Sequence, residues 1–170
     1  FIVRENQNFY NRLVFVHPDG KVDFYDKRHL FSLAKEDQIF TAGSDKLIVN
    51  YKGWKICPLI CYDLRFPVFS RNSENYDLLL YVANWPDDRV SAWDALLKAR
   101  AIENMCYTIG DNRVGVDGND YPYTGHSCAL DYLGHEYNQQ TEFEEVILVT
   151  LDINKQLSAR EKFGFLNDQD

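Results

Sequence analysis

The chain has 170 residues, 45% of them hydrophobic and 15% aromatic, enough apolar material for one domain with a sizeable core and too much for a disordered chain. A formal charge of −8, with Lys and Arg neither in excess nor clustered, argues against nucleic acid or an anionic membrane as partner. No run approaches the roughly 20 apolar residues that span a bilayer, and no signal segment opens the chain, so a cytoplasmic protein acting on a small polar molecule or on another protein is expected.

The chain opens at Phe1, and Phe1-Ile2-Val3-Arg4 reads as the inside or end of a strand, which predicts that the chain is the later part of something longer. Residues 9–17 are rich in β-formers, Pro18-Asp19-Gly20 is a turn signal, and residues 21–26 alternate with Val22 and Phe24 on one side. This predicts a hairpin ending at Asp26-Lys27. Residues 28–40 lack a clean period and read as an irregular segment with about one helical turn, ahead of a break at Ala42-Gly43-Ser44. Residues 46–51 and 54–60 read as strands joined through Lys52-Gly53, and the second is an apolar run that stops at Cys61.

Residues 66–72 read as a short helix, and residues 76–83 form a nearly continuous apolar run that suits a strand covered on both faces. Ser91 is expected to cap a helix reaching about Cys106, because Trp93, Leu97, Ala101 and Met105 recur on one face. Residues 107–116, 128–132 and 145–152 read as further strands. Hairpins combined with a βα crossover between residues 76 and 116 predict an α/β or α+β fold with a mixed sheet.

The four cysteines, Cys57, Cys61, Cys106 and Cys128, are few and lie in apolar surroundings, so reduced thiols are expected. Cys57 and Cys61 lack a second pair at ligand spacing, which argues against zinc. No metal and no cofactor is expected.

A buried strand that delivers a thiol to a sharp bend presents a nucleophile, because the bend exposes the sulfur of Cys61 while the strand holds it still. Taken alone, a cysteine is more often a small core hydrophobe. Lys27 ends a strand, where an ammonium favours a thiolate and steadies an oxyanion; taken alone, it reads as a solvated lysine. Glu36 sits in the following loop, where a carboxylate can orient that lysine. His29 invites a Cys–His pair, but no Asn or Asp in a papain-like context supports one. Arg65 suits a structural tie between its turn and neighbouring loops, or a substrate carboxylate. Asn84-Trp85-Pro86 follows a buried strand and suits a pocket wall.

Four blocks carry a resemblance: Tyr25-Asp26-Lys27-Arg28-His29-Leu30-Phe31, Ile60-Cys61-Tyr62-Asp63-Leu64-Arg65-Phe66-Pro67, Tyr81-Val82-Ala83-Asn84-Trp85-Pro86 and Ala99-Arg100-Ala101-Ile102-Glu103-Asn104. In this order they resemble the carbon–nitrogen hydrolase (nitrilase) superfamily over nearly the whole chain. The first two blocks are similar to the omega-amidase branch, which deamidates 2-oxo acid ω-amides such as 2-oxoglutaramate. The resemblance implies a single carbon–nitrogen hydrolase domain over residues 1–170, a four-layer αββα sandwich and a homodimer. It implies Cys61 as nucleophile, Lys27 as catalytic lysine and Glu36 as the glutamate that positions the lysine. Tyr62, through its backbone N–H, Asn84 and Trp85 are expected at the substrate. The family's general-base glutamate belongs to an earlier block, ahead of the strand in which this chain begins, and Glu5 lies in no such motif. Other branches (N-carbamoyl amino acid hydrolase, aliphatic amidase, nitrilase) would use the same thiol, and a non-catalytic binding member is the alternative from another class. Residues 161–170, with Phe163 and Phe165 among charges, are expected to pack on a partner subunit or fray.

Overall fold

The computed structural model describes residues 1–169. The chain opens with three antiparallel strands, β1 (Ile2–Glu5), β2 (Asn8–Val16) and β3 (Val22–Asp26), in the order β1-β2-β3. The predicted hairpin is therefore the second half of a three-stranded sheet. Residues after β3 form two short 3-10 turns, Ser32–Ala34 and Glu36–Gln38, hinged on Lys35 in the left-handed region at φ 59°.

A second hairpin, β4 (Val49–Tyr51) and β5 (Trp54–Ile60), turns through Lys52 and Gly53, both at positive φ (48° and 83°), the pairing that matches the twist of a tight hairpin. Residues 46–48 stay outside the strand. A 3-10 turn, Cys61–Arg65, follows β5 directly, and α1 (Pro67–Ser70) begins on a proline, whose fixed φ suits a first helical position. Strand β6 (Leu78–Ala83) runs parallel to β5. It leads through the 3-10 turn Asp87–Arg89 into helix α2 (Val90–Glu103) and on to β7 (Tyr107–Asn112), parallel to β6. Strand β10 (Cys128–Leu130) closes a five-stranded sheet of order β10-β7-β6-β5-β4, with antiparallel edges around a parallel centre. The class is α/β with mixed sheets.

Trp93 and Leu97 of α2 lie against Gly110 of β7 so closely that a Cβ there would come within 2.4 Å of Leu97 Cδ1 and 2.6 Å of Trp93 Cζ2. Glycine is what lets the helix seat on the sheet.

Several expectations are corrected. Ser91 is not the cap: the preceding 3-10 turn runs straight into α2, so the N-cap is Arg89, without a side-chain bond, and Ser91 lies inside the first turn. The helix also stops at Glu103, with Met105 beyond it in a left-handed conformation. Residues 107–116 are two strands, β7 and β8 (Val114–Val116), and β8 pairs with the unanticipated β9 (Pro122–Thr124). Residues 145–152 form no strand: Val146 and Leu148 are 86% and 90% exposed. Alternation supplies a face but not a ladder partner, and the segment pairs with no strand among the described residues.

A further helix, α3 (Ile153–Phe163), was not anticipated. The Asp152 carboxylate accepts from the N–H groups of Asn154 and Lys155, and Gly164 ends the helix at φ 66°. It is tied to the sheet by Arg160, which donates to the Met105 and Tyr76 carbonyls, and by Gln156, which donates to the Asp77 carbonyl. Residues 161–169 therefore finish a docked helix and a 3-10 turn, with Phe163 and Phe165 stacked 5.3 Å apart. Asp170 lies outside the described residues. No helix among the described residues is long and apolar enough to cross a membrane.

Candidate active site

The C-terminal ends of β5 and β6 face the end of β3 across a cavity of about 600 Å³, lined among others by Lys27, Glu36, Cys61, Tyr62, Asn84 and Trp85. All six predicted site residues thus share one cavity.

Cys61 leaves β5 at φ 44°, a left-handed conformation that a side-chain-bearing residue adopts at a cost of about 1–3 kcal/mol. This is the bend expected of a presented nucleophile, with Sγ 3.8 Å from the Asn84 carbonyl oxygen. Burial pushes the thiol pKa up, and the Lys27 charge pulls it the other way. Cys57, four residues earlier in β5, has no exposed surface, and burial raises its pKa strongly. No group of three or more His, Cys, Asp or Glu among the described residues is placed to hold a metal ion.

Lys27 is 3% exposed, so the solvated reading fails. A buried ammonium needs a partner, and its Nζ donates to Glu36 Oε2 at 2.6 Å. The same oxygen accepts from the Phe31 N–H at 2.7 Å, which fixes the carboxylate in the left-handed bend at Lys35. Glu5 is elsewhere, paired with Arg12 at 2.6 Å. His29 makes no pair with the thiol: its Nδ1 lies 2.8 Å from Asp63 Oδ1.

The pocket wall at Asn84-Trp85 is held from behind. Asn112, at the end of β7, accepts the Trp85 N–H at 2.7 Å and donates to the Trp85 and Gly125 carbonyls. Arg65 ties its turn to this wall through a ring: its guanidinium lies 4.9 Å from the Trp85 ring centroid. Arg65 also lines the cavity, with Arg89, Asn11 and Tyr123. Sequence reasoning missed Asn11, Arg89, Asn112 and Tyr123. Only Arg89 carried a local signal, three residues past Pro86; the others arrive from strands whose pairing no short-range pattern specifies.

A thiol on a strained strand end and a buried lysine–glutamate pair thus open onto one cavity, and similarity to known proteins gives the class of the chain. The Carbon-nitrogen hydrolase family model matches residues 1–161, and the chain belongs to that family. Within it, the chain is 47% identical over 162 residues to the omega-amidase YafV of Yersinia enterocolitica, covering 94% of this chain and 63% of that protein. It is 32% identical over 169 residues to the 2-oxoglutaramate amidase of Bacillus subtilis (strain 168), covering 98% and 65%. The crystal structure of XC1258 from Xanthomonas campestris, a CN-hydrolase superfamily protein with an arsenic adduct in its active site, superposes with a TM-score of 0.97 at 44% identity over 99% of this chain and 67% of that one. The fold is thus of the nitrilase type. The chain spans about 63% of the length of the omega-amidase it matches.

Proposed function

We propose that the protein hydrolyses the amide carbon–nitrogen bond of a small carboxylate substrate, a 2-oxo acid ω-amide such as 2-oxoglutaramate, through a Cys61 thioester. The observation that carries this reading is the Lys27–Glu36 pair in the same cavity as Cys61. Similarity to an omega-amidase and to a 2-oxoglutaramate amidase supports the substrate class.

The Cys61 thiol gives its proton to the family's general-base glutamate, which the resemblance assigns to a block ahead of Phe1. Sulfur attacks the amide carbon, the carbonyl π pair moves onto oxygen, and the oxyanion is held by the Lys27 ammonium and the Tyr62 backbone N–H. Tyr62 is the second residue of the 3-10 turn, whose first N–H groups have no partner within the turn. Collapse of the intermediate breaks the C–N bond, and the nitrogen leaves as ammonia with the proton returned by the same glutamate. Water, giving a proton to the same glutamate, attacks the thioester through a second such oxyanion, and its collapse breaks the C–S bond, releasing the dicarboxylate and the Cys61 sulfur, which takes that proton back. Glu36 keeps the ammonium aimed throughout. Arg65 and Arg89 give the cavity wall positive charge, which suits the substrate's carboxylate. The reading also carries a homodimer, checked by sedimentation of the full-length gene product at twice the protomer mass.

The test is ammonia release by the full-length gene product on 2-oxoglutaramate, glutamine and N-carbamoyl amino acids. Turnover is expected on the oxo acid amide and should fall at least about 10⁴-fold in Cys61→Ala. A Cys61→Ala protein that releases ammonia at the wild-type rate refutes the thioester; preference for the carbamoyl compounds moves the protein to another branch.

A further inference from the structure

Asp63 has no exposed surface and no part in the chemistry above. Its Oδ2 accepts the Tyr25 hydroxyl at 2.7 Å and the Ile60 N–H at 3.0 Å, and its Oδ1 accepts the His29 N–H at 3.0 Å and His29 Nδ1 at 2.8 Å. Both oxygens act as acceptors, so His29 Nδ1 carries the proton. The Tyr25 hydroxyl in turn accepts the Arg28 N–H at 3.0 Å.

The donors fall into two groups. Tyr25 and His29 bracket Lys27, and Ile60 immediately precedes Cys61. One carboxylate thus ties the strand end that carries the ammonium to the strand end that carries the thiol. The His29 ring is itself fixed, stacked on Phe66 at 3.8 Å and edge-on to Phe69 at 5.2 Å. A buried carboxylate is costly unless its lone pairs are filled. Here every donor but one comes from the segment flanking Lys27, so the node spans the gap between the two sheets.

We propose that Asp63 is a positioning residue that sets the spacing of Lys27 and Cys61, with Tyr25 and His29 as its arms. It touches neither substrate nor reacting atoms. The inference rests on the reading that Lys27 holds the oxyanion, and a displacement of about 1 Å in such a group costs about 100-fold in rate.

Asp63→Asn puts an NH₂ where two donors point and is the variant most prone to misfold, so the test uses Tyr25→Phe, His29→Ala and His29→Asn in the full-length gene product. His29→Asn keeps a donor near the position of Nδ1. Three quantities are read: kcat and KM for ammonia release, the iodoacetamide rate at Cys61, and the thermal midpoint. Tyr25→Phe and His29→Ala are expected to lower kcat about 10- to 100-fold with KM within about twofold, and His29→Asn to recover most of the loss. Cys61 alkylation should slow in step, because a displaced ammonium favours the thiolate less. A lowered midpoint with kcat and alkylation unchanged means that Asp63 is only structural, and overturns the proposal. A wild-type protein that releases no ammonia refutes the proposed function instead, and the alkylation rates then decide the positioning role.

Discussion

The two sheets deliver the two halves of the site by different physics. In the five-stranded sheet, Cys57 and Leu59 of β5 and Leu79 and Tyr81 of β6 have no exposed surface, so Cys61 and Asn84 ride on strands that cannot shift without opening a close-packed core. The three-stranded sheet leaves Val16, Val22 and Phe24 more than half exposed, and what it presents, Lys27, is held by polar ties. These are the Glu36 carboxylate, the node at Asp63, and Arg12 on Asp26 at 2.7 Å. Packing holds the Cys61 thiol and hydrogen bonds hold Lys27, so damage to the ties should appear in rate and damage to the core in stability.

The sharpest test of that division is Lys27→Ala, which should lower kcat/KM for ammonia release about 10²–10³-fold, the usual cost of one oxyanion donor. If it lowered only the unfolding midpoint, the division would fail. On the core side, Gly110→Ala should cost about 1–3 kcal/mol in urea unfolding, because the added Cβ meets Trp93 and Leu97. The kcat of the folded enzyme should change little.

A pH-dependent effect comes from the core thiols. Burial pushes both Cys106 and Cys128 up to about 12 from an ordinary 9.0. From pH 9.0 to about 12 the unfolded chain binds fewer protons than the folded one. Stability should therefore fall as pH rises through that window, by up to about 1.4 kcal/mol per pH unit for each thiol, and be flat below it. Urea midpoints across the range check the sign; a rise would mean that these thiols ionise readily in the fold. The smallest effect belongs to the open face, where Val22→Thr should stay within about 0.5 kcal/mol.

Much of the site could be read from the residues. Cys61 was legible as a polar stop after an apolar strand, Lys27, Asn84 and Trp85 through their blocks, and Glu36 as an acid in the loop after Lys27. Asp63 stood in the same block as Cys61 without a role, because its partners are far off in sequence at Tyr25 and His29. Helix α3 had a readable start at Asp152 and stop at Gly164, yet its register lacks a strong apolar stripe, since it docks through Gln156 and Arg160. Residues 145–152 show the opposite failure, a strand-like pattern that finds no partner strand among the described residues.

By itself, then, the sequence determined most of the local elements, the mixed α/β class and the candidate reactive groups, because periodicity, turn residues and motif wording are short-range properties of the chain. Only the tertiary structure decided which strands pair, that Lys27 is buried against Glu36, that Arg65 rests on Trp85, and that Asp63 joins the two sheets. Each of those depends on atoms brought together across long stretches of chain, and the geometry that joins them is set by the packing of β5, β6 and β7 around a shared core.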